Sequence, residues 1–264
     1  MPITHTEDQL SIPRGSTFFD PFDENGQRTG EIDLGNCPGV TVTIDSEKAE
    51  HYTSRTAAGE KDRSITTRIN RTGKLNCDNV SMANYALWLA GTQQLMEQDA
   101  TAVTDEVRTV RPGRFYQLGA NDANPLGVRD VTGVTVKDED DEAYAEGDDY
   151  EVDPANGRIR IMESGAITSG SKVKLGYTPK AGTYLRVKTG GKAEVSGSLR
   201  IVADNASGEN RDFYMPKVTL AATGDLPLIV EGSSNEFVAL EFSLEVLKAA
   251  NAEAIYIDGR PRAE

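Results

Sequence analysis

The chain has 264 residues, 38% of them hydrophobic and 27% charged, with 28 Lys and Arg against 42 Asp and Glu and a formal net charge of −14. That length allows one large core or two modest ones, and the lean apolar content points to β-sheet with one face left to water or to a partner. The acidity argues against wrapping nucleic acid or docking on an anionic membrane, since either needs clustered Lys and Arg, although DNA remains open as a cargo to be repelled.

In chain order, residues 1–14 lack periodicity, end in Ile12-Pro13-Arg14 and read as an extended N-terminal arm. Thr17-Phe18-Phe19 reads as a short strand, and the Asn-Gly pair in Asp23-Glu24-Asn25-Gly26 marks a tight turn into a strand starting near Arg28. Ile32, Leu34, Val40, Val42 and Ile44 then alternate with Glu31, Asp33, Thr41 and Thr43, the period of a half-buried strand. A second strand puts Ile65, Ile69 and Leu75 on one face and Ser64, Thr66, Arg68 and Asn70 on the other. The connection between them, Asp45 to Asp62, breaks the alternation over 18 residues, longer than neighbouring antiparallel strands need. It carries Glu47, Lys48, Glu50, His51, Tyr52, Arg55, Glu60 and Lys61, a mixed-charge set with one aromatic that suits a contact surface. A hairpin centred on that loop puts Cys37 and Cys77 out of register, so two unbridged small residues are expected.

Asp78, Asn79 or Ser81 can cap a short helix over Met82–Ala90 that ends at Gly91 and packs Tyr85, Trp88 and Leu89 on the sheet. The pattern weakens from Thr92 to Val110. Short strands follow at 115–118, 131–136, 150–152, 159–161 and 172–175, separated by turn residues and enclosed by Arg111-Pro112-Gly113 and Pro179-Lys180-Ala181-Gly182. They predict a small inserted β-sandwich domain over 113–180, between the two parts of a main domain at 15–112 and 181–264. After it, Val195, Leu199, Ile201 and Ala203 form one face of a strand, Val218 and Leu220 mark another, and Val238 to Val246 alternate most cleanly.

No catalytic, cofactor-binding or metal-ligating constellation emerges. His5 and His51 lack zinc-site spacing, Gly73-Lys74 and Gly191-Lys192 lack the rest of a phosphate loop, and the acidic run at 138–142 lacks the glycine and terminal glutamate of an EF-hand. No apolar run approaches a membrane span, and Met1-Pro2-Ile3-Thr4-His5-Thr6 has no signal-peptide pattern, so the chain is expected to fold in a cytoplasm.

The set formed by Gly30-Glu31-Ile32-Asp33-Leu34-Gly35-Asn36, the long charged connection, the Ser81 to Gly91 helix, Gly197-Ser198-Leu199-Arg200-Ile201, Asp204-Asn205, Pro216-Lys217-Val218-Thr219-Leu220 and Glu236-Phe237-Val238-Ala239-Leu240-Glu241-Phe242 resembles the major tail tube protein of long-tailed, non-contractile (siphovirus-type) bacteriophages. The resemblance covers residues 15–110 and 183–247. The insert resembles small β-domains carried by some phage tail proteins.

The resemblance implies a mainly β fold of two packed antiparallel sheets, a tail-tube β-sandwich or barrel with one short flanking helix. It also implies a structural virion protein, not an enzyme, assembled into stacked hexameric rings that form the conduit for DNA ejection. Its partners would be further copies of itself, the tape measure, tail terminator and distal tail proteins, and phage DNA passing without specific binding. Its place would be the virion tail, after assembly in the host cytoplasm, with no cofactor and no membrane. The charged connection would dock ring on ring. The polar faces carrying Thr41, Thr43, Thr66, Asn70, Ser196, Ser198, Glu241, Ser243 and Glu245 would line the channel, with Arg68 and Arg200 on the same faces needing acidic neighbours. A monomeric β-sandwich binding or decoration module of a virion is the alternative.

Overall fold

A computed structural model describes residues 8–260, so residues 1–7 of the expected N-terminal arm lie outside the described residues. In chain order the elements are β1 (Gly15–Pro21), β2 (Ile32–Asp33), β3 (Gly39–Tyr52), β4 (Lys61–Cys77), α1 (Met82–Trp88), β5 (Thr92–Gln98), β6 (Val103–Thr109), β7 (Phe115–Gln117) and β8 (Val131–Lys137). They continue with β9 (Tyr150–Asp153), β10 (Arg158–Ile161), β11 (Lys172–Pro179), β12 (Gly182–Lys188), β13 (Glu194–Ala203), β14 (Arg211–Thr223), β15 (Leu240–Val246) and β16 (Tyr256–Gly259). The protein is therefore mainly β, built of antiparallel sheets with one short helix, as the alternation implies. Two compact units divide it: Met1–Gln94 with Arg186–Glu264, and Leu95–Leu185.

The first unit is an eight-stranded antiparallel sheet in the order β2-β1-β13-β14-β15-β4-β3, with β16 also paired to β14. Strict alternation along β15 buries Leu240, Phe242, Leu244 and Val246 against Leu75, Val218, Leu220, Leu199, Phe19 and Leu34 in one core. The predicted strand from Glu31 is two strands, because Gly35 at φ 77° and Pro38 turn the chain between β2 and β3. The turn at Asp23 to Gly26 forms as expected, with Gly26 N–H donating to the Asp23 carbonyl at 3.0 Å. Ahead of β1, Ile12 N–H donates to the Ser207 carbonyl and the Ile12 carbonyl accepts from Ala206, at 3.0 and 3.1 Å.

Ser81 is the cap of α1, its hydroxyl accepting from Asn84 N–H at 3.2 Å. The helix buries Asn84 and Leu87 most deeply, while Tyr85 and Trp88 pack half-buried against the core and the Trp88 indole donates to the Glu241 carbonyl at 3.1 Å. Asn84 is held inside because its amide donates to the Leu34 and Asn79 carbonyls at 2.9 and 2.7 Å. The left-handed residue after the helix is Ala90, at φ 43°, rather than Gly91. Gly91 is needed for a different reason, since a Cβ there would lie 2.0 Å from the Lys188 carbonyl oxygen.

The second unit consists of two three-stranded sheets, β7-β10-β9 and β6-β11-β8, enclosing a core that includes Leu118, Val136, Ile159, Ile161, Val173 and Leu175. All five strands expected in the insert are present. Its boundaries are corrected from 113–180 to Leu95–Leu185, because β6 pairs with β11 and belongs to this core, while β5 and β12 pair with each other where the chain enters and leaves. Glu106 on β6 anchors a half-buried polar group: it accepts from Tyr177 Oη at 2.6 Å, Arg108 Nε at 2.8 Å and Gly119 N–H at 3.0 Å. Burial and this acceptor push the Tyr177 hydroxyl well above the ordinary tyrosine range. The acidic run is a hairpin tip in which Asp138 Oδ1 accepts from the Asp140 and Glu142 amides and Lys174 Nζ donates to Asp141 at 2.8 Å.

Candidate functional site

The stretch expected to be an irregular connection is strand. β3 and β4 run for 14 and 17 residues and pair from Gly39↔Asn76 out to Tyr52↔Lys61, leaving only 53–60 as the turn. The Thr53 N–H donates to the Glu60 carbonyl at 2.8 Å and closes that turn. Because the turn is centred at 53–60 and two register shifts follow, beside His51 and Glu47, partners sum to 115 near the base, which corrects the register expected for the cysteines: Cys37 and Cys77 are free thiols with their sulfurs 2.8 Å apart. Hydrogen bonding with the Cys77 thiol holds Cys37 below the usual thiol range, and the same contact, with burial, pushes Cys77 up.

Only the base of this hairpin belongs to the sheet. β15 covers β4 from Leu240↔Cys77 to Glu245↔Thr72 and stops, whereas β3 and β4 continue as a two-stranded arm with every residue of 44–52 and 61–70 exposed. Nine residues of strand reach about 30 Å beyond the sheet. An isolated two-stranded ribbon is marginal in water. This one nevertheless holds Ile44, Ile65 and Ile69 at 60%, 54% and 53% exposure, which marks it as a surface awaiting cover.

The contact residues expected in a loop are therefore distributed along a ribbon. Glu47, Lys48, Glu50, His51 and Tyr52 lie on β3, Lys61 on β4, and Arg55 and Glu60 in the turn. Lys61 Nζ and Tyr52 Oη donate to Glu50, holding its carboxyl below the usual range and raising both donors. His51 Nδ1 meets Asp62, and Arg68 lies 3.4 Å from Glu47. These cross-strand pairs fix the ribbon's register more than they stabilise it, because all are exposed.

The polar residues expected on one face are partly brought together. Hydrogen-bonded rows place Thr41 beside Lys74 and Ser243, and Thr43 beside Thr72, Glu245, Thr219 and Ser196, with Asn76 beside Glu241 in the next row. Asn70 and Arg68, opposite Asp45 and Glu47, continue that face onto the arm. Thr66 does not. A register shift between Glu47 and Lys48 carries Thr66 to the other face and likewise separates Ile65 from Ile69. Ser198 is buried opposite Asp20, which accepts from the Thr29 and Gly30 amides, so it lines no open surface. Arg200 is engaged by Glu31 at 2.7 Å and stacks over the Tyr214 ring at 4.6 Å, with the carboxylate raising its already high pKa.

One exposed feature carries no sequence signal of its own: the connection between β14 and β15 displays Leu228, Ile229 and Phe237 to solvent. Its apolar residues lack periodicity, and only the absence of neighbours in the fold distinguishes them from core. Among the described residues there is no group of three His, Cys, Asp or Glu placed to hold a metal ion, and no helix long and apolar enough to cross a membrane.

The fold and this surface define an antiparallel β protein with a projecting two-stranded arm and a small second β unit. The chain belongs to the family described as protein of unknown function UCP028589, which matches residues 11–254. No curated protein matches the chain.

Proposed function

We propose that this protein is a structural subunit that associates with copies of itself through the β3–β4 arm, forming the stacked hexameric rings of a phage tail tube. The observation that carries this reading is the arm itself, about 30 Å of paired strand with apolar and charged side chains exposed on both faces and no covering element among the described residues. Exposed ribbon edges are an aggregation hazard for a monomer and an asset for a repeating assembly, where each neighbour covers the next. The continuous polar face around Thr41, Thr43, Ser243 and Glu245 supports a channel lining that offers DNA few cationic partners, although Lys74 lies within it. On this reading the tape measure, terminator and distal tail proteins meet the two ends of the tube, and the protein resides in the virion tail. It has no enzymatic role, and the Leu95–Leu185 unit is an accessory.

Negative-stain microscopy of the purified chain at rising concentration tests the reading. Rings or tubes of constant diameter are expected. A species that stays monomeric at every concentration contradicts it and favours a binding or decoration module instead.

A further inference from the structure

The arm and the exposed connection between β14 and β15 lie at opposite ends of the same sheet. β15 begins at Leu240, opposite Cys77, and its last pair with β4 is Glu245↔Thr72; the arm leaves beyond that second end. The connection 224–239 joins Thr223, which faces Glu241, to Leu240, so it sits at the first end. A strand cannot fold back along its own length, so the arm of one copy does not reach this connection in the same copy.

The two surfaces complement each other in apolar content and in charge. Leu228, Ile229 and Phe237 are 85%, 93% and 95% exposed at one end, and Ile44, Ile65 and Ile69 are more than half exposed at the other. Between 224 and 239 the chain carries three acids, Asp225, Glu231 and Glu236, and no base. Between 44 and 72 it carries six bases against five acids, a local excess of positive charge in a chain whose net charge is −14. Like surfaces would pair as a closed dimer, whereas two different surfaces at opposite ends generate a head-to-tail series. We infer that the β14–β15 connection of one copy is the docking site for the β3–β4 arm of the next, with Ile229 and Phe237 covering Ile44 and Ile69, which share one face of the ribbon, and the acidic segment facing its Arg and Lys. This pairing rests on the self-association proposed above and names the surfaces that make it.

Both anchors are almost wholly exposed, so changing them leaves the fold intact, which far-ultraviolet circular dichroism verifies. Phe237→Ser is expected to raise the critical concentration for assembly at least about tenfold, and an unchanged critical concentration overturns the inference. In a second arm, Phe237 is replaced by a photo-crosslinking benzoylphenylalanine, isotopically labelled and unlabelled copies are mixed, and cross-linked peptides are identified by mass spectrometry. Cross-links from position 237 to residues 44–72 of a different copy are expected. Assemblies whose cross-links fall elsewhere, including 224–246 of another copy, or that give none, overturn this pairing while leaving self-association intact. Failure of the unmodified chain to assemble at all overturns both.

Discussion

The inner and outer halves of the β3–β4 hairpin are the same two strands in the same ladder, yet they belong to different environments. At the base, Leu75 and Cys77 are fully buried, with β15 alongside and the core beneath. Beyond Thr72 and Ile44, nothing among the described residues covers either face. The inner half is stabilised by burial, whereas the outer half is held by cross-strand bonds and by exposed ion pairs that water screens. One half makes the fold and the other is available for contact.

The difference can be sharpened by substitution on either side of the boundary. Phe242→Ala empties a site at 1% exposure above the hairpin base and is expected to lower unfolding free energy by about 3–5 kcal/mol in urea titration. A loss near that of a surface change would mean that the base is not core. At the root of the hairpin, treatment with oxidised glutathione is expected to join Cys37 to Cys77, the two thiols giving up their hydrogens as the reagent is reduced to two glutathione thiols. After glutathione is removed, the protein retains no titratable thiol, and its stability rises by about 2–4 kcal/mol. Persistence of both thiols under oxidant would contradict the sulfur placement. Smallest is Ile69→Ala on the arm, where side-chain loss from a 53% exposed site should shift monomer stability by no more than about 0.5 kcal/mol. A larger loss would show that the arm is packed in the monomer.

The same boundary explains what the sequence reveals. Alternation is written by burial of one face, so β15, with Leu240, Phe242, Leu244 and Val246 all buried, is legible residue by residue. Residues 45–52 are as regular in hydrogen bonding, but with both faces exposed they read as Asp-Ser-Glu-Lys-Ala-Glu-His-Tyr and resemble a loop. β16, exposed throughout, is silent for the same reason. β6 is obscured differently: Asp105 sits at φ 59° and the ladder with β11 shifts register nearby, so the two-residue period is interrupted and the boundary of the second unit moves. The charged contact residues were visible as a group, whereas their arrangement on two faces depends on a register shift between Glu47 and Lys48 that composition does not encode. The exposed Ile229 and Phe237 were invisible because apolar residues without period look alike inside and outside a core.

The central claim is that the outer half of the hairpin joins copies without being needed for the fold. Asp45 and Asn70 lie opposite each other, so residues 46–69 can be replaced by an Asn-Gly turn that closes the ladder at that pair. Sedimentation velocity of this variant beside the full chain tests the claim directly. The account predicts a folded monomer at concentrations where the full chain forms large assemblies, with an unfolding midpoint close to that of the full chain's monomer. Assemblies of the same size from the shortened variant would contradict it.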